Sequence, residues 1–131
     1  MSLKKLLVLQ LVYALVGIGY NVVSFALVSM GGEPLSSTAP VTGAIALFAY
    51  GLCLIPGAMG YLIPYRILMV LSILVFGYGG IVKHLVNFFS DQLFLYSSTL
   101  AWVAAILINV YGLVLNVMAA AGWFKKNVKK G

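Results

Sequence analysis

The sequence predicts an all-α integral membrane protein: a four-helix antiparallel bundle with both termini in the cytoplasm. The first observation behind this prediction is composition, because 63% of the 131 residues are apolar and only 8% are charged. Soluble domains are about half apolar and about a quarter charged, so the composition excludes a water-soluble domain and a typical nucleic-acid-binding protein. The second observation is that the apolar residues form four long runs, whereas membrane β-barrels show short alternating segments. The third is that the few charges lie mainly at the ends of these runs.

Each of the four runs is long enough to cross a bilayer. The hydrocarbon core is roughly 30 Å thick, and about 20 residues of helix are needed to span it. A helix is expected because lipid offers no hydrogen-bond partner to an unpaired backbone group. We therefore predict a single transmembrane domain, residues 1–131, with spans at about 6–30, 41–63, 67–89 and 100–124.

The first run resembles a secretory signal peptide in one respect, because two lysines precede it. It is longer than the apolar core of a signal peptide and lacks an obvious small-x-small cleavage site. We therefore interpret it as a retained helix.

The segments between the runs are short and polar. A loop rich in glycine and proline, residues 31–40, follows the first span, and Pro64-Tyr65-Arg66 is predicted to form a tight turn after the second. Residues 90–99 form the loop before the fourth span. The third run alone has a charged interruption, Lys83-His84.

The basic residues indicate the orientation of the chain. Seven of the eight lie at the N-terminus, between the second and third spans, or at the C-terminus. With four spans these three places share one side, which the positive-inside rule assigns to the cytoplasm. We expect a bacterial inner (plasma) membrane with cytoplasmic N- and C-termini. The seven residues are Lys4, Lys5, Arg66, Lys125, Lys126, Lys129 and Lys130.

Small and polar residues recur at alternating spacings of three and four in every span, as in a left-handed helical bundle. Helices in lipid associate through close packing at small residues and through interhelical hydrogen bonds, since the lipid is itself apolar. We therefore expect these residues to face the bundle interior. The predicted packing positions are Gly17, Gly57, Gly60, Gly77, Gly80, Gly112 and Asn116.

The polar residues of the spans are distributed unequally between the two halves of the membrane. The membrane half next to the termini holds Gln10, Tyr13 and Asn116, and the outer half holds more. If the stripes of small and polar residues face one another, the outer half contains a polar pocket. The candidate pocket residues are Tyr20, Asn21, Ser24, Tyr50, His84 and Asn109.

The Lys83-His84 pair interrupts the third span near its outer end. Ionisable residues in a span are costly and indicate function by default. Lys83 can extend its ammonium to the headgroups, with Asp91 or Glu33 as a candidate partner in the interface. His84 shares a stripe with Gly80 and is expected to point inward, either as a structural hydrogen-bonding residue or as a ligand contact.

Several chemistries lack the residues they need. One histidine cannot supply both axial ligands of a bis-histidine haem, and one cysteine, Cys53, cannot form an intramolecular disulfide or a CxxC pair. No span contains the Asp or Glu typical of proton- and cation-coupled carriers. Phosphate-binding loops, zinc spacings and nucleophile elbows are absent. We therefore predict no enzyme activity, no metal and no cofactor, while a bound lipid or quinone is compatible with the pocket.

These observations favour a non-catalytic accessory or structural subunit that packs against a larger membrane complex. Its expected partners are the lipid bilayer and either other membrane protein subunits or a second copy of the chain, with no nucleic acid. Two alternatives stay open. One is a small oligomeric carrier or channel for a neutral or weakly polar solute. The other is a lipid- or quinone-binding membrane protein that uses the outer pocket.

Overall fold

A computed structural model of the protein describes residues 1–125. These residues form helices joined by loops, with one isolated β-bridge. Four helical segments are long and apolar enough to span a membrane, which confirms the all-helical class and the number of candidate spans. Of the basic residues that predict the orientation, Lys126, Lys129 and Lys130 lie outside the described residues. The four candidate spans are Leu3–Ser29, Pro40–Ala58, Leu62–Phe89 and Thr99–Ala121.

Two of the four spans are interrupted within their length. The second is divided into two helices, and the third contains a π-helical turn, Tyr78–Val82. A short 3-10 helix, Leu93–Leu95, lies in the loop before the fourth span. The α-helices are α1 Leu3–Ser29, α2 Pro40–Leu52, α3 Ile55–Ala58, α4 Leu62–Gly77, α5 Lys83–Phe89 and α6 Thr99–Ala121.

Proline explains the interruption of the second span. Pro56 has no backbone N–H and so cannot donate the helical hydrogen bond to the carbonyl of Leu52. α2 accordingly ends at Leu52, and α3 begins at Ile55.

The connection between the second and third spans differs from the predicted tight turn at Pro64-Tyr65-Arg66. The chain reverses at residues 59–61, where Gly60 has φ +86°, a left-handed conformation that glycine adopts readily. Pro64 is the third residue of α4, and proline is tolerated in a first helical turn because its missing N–H would have no partner there. Tyr65 therefore lies buried in the bundle instead of in a turn.

Serine and glycine define the ends of the longest helices. The Ser2 hydroxyl accepts from the Lys5 N–H at 3.3 Å at the start of α1, and the Ser98 hydroxyl accepts from Ala101 at 3.1 Å at the start of α6. Such caps satisfy backbone donors that have no partner within the helix. Gly122, with φ +75°, ends α6 in the usual left-handed C-terminal conformation.

The spans pack so that the first and fourth are central neighbours. α1 packs against α2 and α6, and α6 packs against α4, whereas the second and third spans meet closely through α3 and α4. Backbone hydrogen bonding between Leu3 and Lys125, 3.0 Å, places both ends of the described chain together. We call this the terminal end of the bundle. The opposite end, formed by the loops 30–39 and 90–98, is the loop end.

The centre of the bundle is rich in polar side chains, and its outer surface is apolar. Leucine, valine and phenylalanine side chains are exposed along all four spans, where lipid would surround them. This distribution agrees with helix association through close packing and hydrogen bonds. The largest completely buried side chains include Tyr13, Tyr50, Tyr65, Gln10 and Asn116.

Glycines allow close contact between the spans. A Cβ added to Gly112 would overlap the ring of Tyr13, and one added to Gly17 would lie 2.6 Å from Leu47 Cδ1. Gly57 is similarly covered, by the ring of Tyr65.

The other glycines predicted at packing positions differ in how closely a neighbouring helix approaches them. Gly80 lies against the Asn109 side chain, while a Cβ at Gly77 would have its nearest neighbour, Leu113, at 3.8 Å. Gly60 belongs to the hairpin and contacts no neighbouring helix within 4 Å of its Cβ position.

Candidate ligand-binding site

A cavity of about 220 Å³ lies among the four spans, between the middle of the bundle and the loop end. Its floor is apolar and includes Leu47, Phe76 and Ile108. Its loop-end part carries Thr38, Thr42, Lys83 and His84, together with Ser36. The lining therefore changes from apolar at mid-bundle to polar near the loop end.

Four of the six side chains predicted to form the outer polar pocket line this cavity: Tyr20, Asn21, His84 and Asn109. The other two are placed elsewhere. Ser24 is buried, and its hydroxyl accepts from the Leu35 N–H at 2.9 Å, so it holds the first loop to α1.

Tyr50 lies beneath the cavity, toward the terminal end. Its hydroxyl donates to Asn116 Oδ1 at 2.7 Å. Tyr50 and Asn116 thus belong to one buried polar cluster. From their positions along the spans, Tyr50 was expected in the outer half of the membrane and Asn116 in the half next to the termini.

Asn21 and Asn109 have the same local geometry on the first and fourth spans. Each side-chain amide donates to the carbonyl four residues earlier, at 2.8 Å in both cases. Each amide oxygen is directed to a glycine of a neighbouring span, Gly43 for Asn21 and Gly80 for Asn109. The intrahelical bond thus holds the amide in one orientation, and the glycine provides space for it in the cavity wall.

His84 belongs to a hydrogen-bond network at the loop end. Its Nδ1 lies 2.6 Å from the hydroxyl of Tyr96, and Asn87 donates its amide to the same hydroxyl at 3.0 Å. Ser37, from the first loop, lies 2.9 Å from the Asn87 amide and 3.2 Å from the Tyr96 hydroxyl. Because Nδ1 is engaged, Nε2 is the ring nitrogen of His84 left to meet a ligand.

Tyr20 of α1 links the first loop to α6. Its hydroxyl lies 2.8 Å from the carbonyl of Leu35 and 2.9 Å from that of Ala101. The two loops are also joined directly, through the Ser97 N–H and the Pro34 carbonyl at 2.8 Å. Tyr20 of the first span, together with His84 and Asn87 of the third, therefore holds the loops at this end of the bundle in place.

The π-helical turn forms part of the cavity wall. Gly79 and Gly80 both line the cavity, and a Cβ at Gly79 would meet no atom within 4 Å. π-helical turns inside α-helices are rare and occur frequently at functional sites. The irregularity in the third span thus lies in the wall of the cavity.

The two candidate interface charges lie near opposite ends of α5. Lys83, the first residue of α5, lines the cavity and is exposed, whereas Asp91 lies in the turn after α5 with φ +54°. Asp91 does not belong to the cavity lining.

A second polar cluster lies toward the terminal end. The Gln10 amide donates to Asn116 Oδ1 at 3.0 Å, and the Tyr65 hydroxyl donates to Gln10 Oε1 at 2.5 Å. Tyr50 completes the cluster through Asn116. Within the described residues, the Asn116 amide nitrogen has no hydrogen-bond partner although it is buried.

Three aromatic rings separate the two polar regions. Tyr13, Tyr50 and Phe76 contact one another edge to face, with ring centroids 5.2, 5.6 and 6.0 Å apart. We call them the aromatic triad. Phe76 also lines the cavity floor, so the triad closes the cavity toward the terminal end.

Three members of these networks, Ser37, Tyr96 and Tyr65, were missed by the sequence reasoning. Ser37 and Tyr96 lie in loops, where helical periodicity gives no indication that a side chain joins the interior network. Tyr65 was assigned to a turn, so its place on the interior face of α4 was not recognised. In contrast, Asn87 follows His84 by three residues, which is a spacing that places both on one helix face.

Comparisons with protein-family models, with curated proteins and with solved structures gave no match to this chain. Within residues 1–125, no group of three or more His, Cys, Asp or Glu side chains could hold a metal ion. The fold and its four apolar helices are compatible with a small membrane protein of the all-α class.

Proposed function

We propose that this chain is a non-enzymatic membrane protein that binds one amphiphilic small molecule of the lipid or quinone class in the cavity. The observation that carries the proposal is the order of the lining, from apolar Phe76 and Leu47 at mid-bundle to polar Thr38 and Lys83 near the loop end. An amphiphile within one leaflet has the same order of polarity, so it can enter the cavity without inverting.

The position of the cavity supports access from the bilayer. α2 and the third span both contribute to the lining, and they meet below the cavity, where the rings of Tyr50 and Phe76 lie 5.6 Å apart. We infer that the ligand enters between these two spans from the surrounding lipid. A ligand with an apolar tail could leave the tail at this entrance.

The size of the cavity also favours a partly enclosed ligand. Sites that bury a drug-sized molecule are about 300–1,000 Å³, and this cavity is about 220 Å³. It suits a headgroup or one ring together with the beginning of a chain.

A matched pair of glycine substitutions tests the proposal. Gly79→Leu would place a side chain in the cavity, whereas Gly19→Leu would place the same side chain on the exposed face of α1, and neither Cβ position has a neighbour within 4 Å. Native mass spectrometry of the protein from mild detergent should show a retained amphiphile in the wild type and in Gly19→Leu. We expect that adduct to be lost in Gly79→Leu. A wild-type chain that carries no adduct, or a Gly79→Leu chain that keeps it, would refute the proposal.

An accessory subunit is the second candidate, and exposed aromatic side chains at the loop end favour it. Phe89 is 80% exposed and Phe94 is 74% exposed. Phe89 contacts Phe88 edge to face, with ring centroids 5.4 Å apart, and Phe88 stacks on Trp102 with ring centroids 4.7 Å apart. Purification in mild detergent should recover a stoichiometric larger complex that dissociates when Phe89 and Phe94 are replaced by serine. Recovery of the chain alone would argue against this candidate.

A continuous channel is disfavoured, because the aromatic triad closes the floor of the cavity. A carrier would need this triad to move.

The charge distribution supports cytoplasmic termini, since four basic residues lie at or near the terminal end of the bundle: Lys4, Lys5, Arg66 and Lys125. Reporter fusions at either terminus, one active only in the cytoplasm and one only outside it, would test this orientation.

A further inference from the structure

The cavity has one formal charge in its lining. Lys83 is the only lining residue that carries a fixed charge, and neither Glu33 nor Asp91 contributes to it among the described residues. Lys83 therefore brings a positive charge to the loop-end part of the cavity.

Hydroxyl groups lie in the same part of the lining. Thr38 is in the first loop and Thr42 is in the first turn of α2, and both line the cavity with Lys83 of the third span. An ammonium and hydroxyl groups can all donate to oxygen. Hydrogen bonds in which one partner is ionised are stronger than those between neutral groups.

Resting on the proposed function, we propose that the bound amphiphile has an anionic oxygen headgroup, a phosphate or carboxylate, and that Lys83 is its counter-ion. The headgroup lies at the loop end between Lys83 and the hydroxyls of Thr38 and Thr42. The apolar part of the molecule extends toward Phe76 and the other apolar side chains of the cavity floor. Asn21 and Asn109 lie deeper, are uncharged, and each donates its amide to the carbonyl four residues earlier, so the charged group at the loop end decides where the headgroup lies.

A series of probes with one saturated alkyl chain and different headgroups tests this inference on the purified full-length chain. The probes are an alkyl phosphate, an alkyl carboxylate, an alkyl phosphocholine and an alkyl glucoside. Their affinities can be compared by displacement of a fluorescent fatty acid in uncharged detergent micelles. The phosphate and carboxylate probes distinguish a lipid phosphate from a fatty acid as the source of the anion.

We expect the wild type to bind the anionic probes more tightly than the glucoside. Lys83→Gln should weaken anionic binding about tenfold, which corresponds to the loss of one charge-assisted contact, and should leave glucoside binding within about twofold. Lys83→Arg should retain the preference for anions. Lys5→Gln is the matched control, because it removes the same charge at the terminal end, away from the cavity, and should change none of the affinities.

The outcomes separate this inference from the proposed function. Equal binding of all four probes, or a preference for anions that survives Lys83→Gln, would overturn the assignment of Lys83 while leaving amphiphile binding intact. An anionic preference that is lost equally in Lys5→Gln would indicate general attraction to the micelle surface and would also overturn it. Failure of every probe to bind the wild type would reject the cavity as a binding site, and with it both proposals.

Discussion

His84 Nδ1 lies 2.6 Å from the hydroxyl of Tyr96, which connects the third span to the loop before the fourth. Both residues are almost completely buried. The same hydroxyl accepts from Asn87, so one loop tyrosine joins two residues of α5. This contact orients the imidazole in the cavity wall, and it explains why a loop residue is buried in a protein whose interior consists mainly of helix faces.

Tyr96→Phe should lower the free energy of unfolding by about 1–2 kcal/mol, because His84 and Asn87 would lose a buried hydrogen-bond partner. Unfolding in mixed micelles with increasing denaturing detergent would measure the change. Tyr78→Phe is the control, since Tyr78 is 71% exposed, and it should leave stability within about 0.5 kcal/mol. Equal effects of the two variants would mean that the Tyr96 hydroxyl contributes no stability.

The Tyr65–Gln10 hydrogen bond in the terminal-end cluster should couple the third span to the first. A double-mutant cycle with Tyr65→Phe and Gln10→Leu should give a coupling energy of about 1 kcal/mol, within the range for hydrogen bonds between membrane helices. Tyr65→Phe combined with Ser24→Ala, at the other end of the bundle, should be additive within about 0.5 kcal/mol. A coupling near zero for the first pair would contradict the predicted contribution of this contact.

Gly112→Ala should destabilise the bundle by about 1–3 kcal/mol, because the added methyl group would overlap the buried ring of Tyr13 and force the helices apart. Gly19→Ala, where the methyl group has free space, should be neutral or slightly stabilising because alanine favours helix over glycine. Thermal unfolding of both variants in the same detergent would make the comparison. If Gly112→Ala were as stable as Gly19→Ala, the contact between Tyr13 and α6 would be looser than described.

Gly80→Ala should also be destabilising, by about 1–3 kcal/mol, because its Cβ would collide with the amide of Asn109. Since the obstacle is a side chain, Asn109→Ala should remove it and restore much of the stability of Gly80→Ala. The measurement is the unfolding free energy of the two single variants and the double variant. A double variant whose loss equals the sum of the single losses would show that Asn109 is not the obstacle.

The predicted pocket and the observed cavity share only some of their residues, for a physical reason. Helical periodicity indicates which side chains face inward, and it placed Tyr20, Asn21, His84 and Asn109 on interior faces. It does not give the rotation and axial offset of one helix against its neighbour. Tyr50 therefore bonds to Asn116 beneath the cavity, although its depth along the second span predicts a place in the outer pocket.

The sequence by itself determined the class of the chain and its four apolar helices, because membrane compatibility depends on local composition and on the length of each apolar run. The tertiary structure decided the rest: the pairing of Tyr96 with His84, the aromatic triad beneath the cavity and the burial of Tyr65. These features depend on contacts between residues far apart in the chain, and in a lipid-like medium such contacts arise from shape and hydrogen bonding, which hydropathy does not encode.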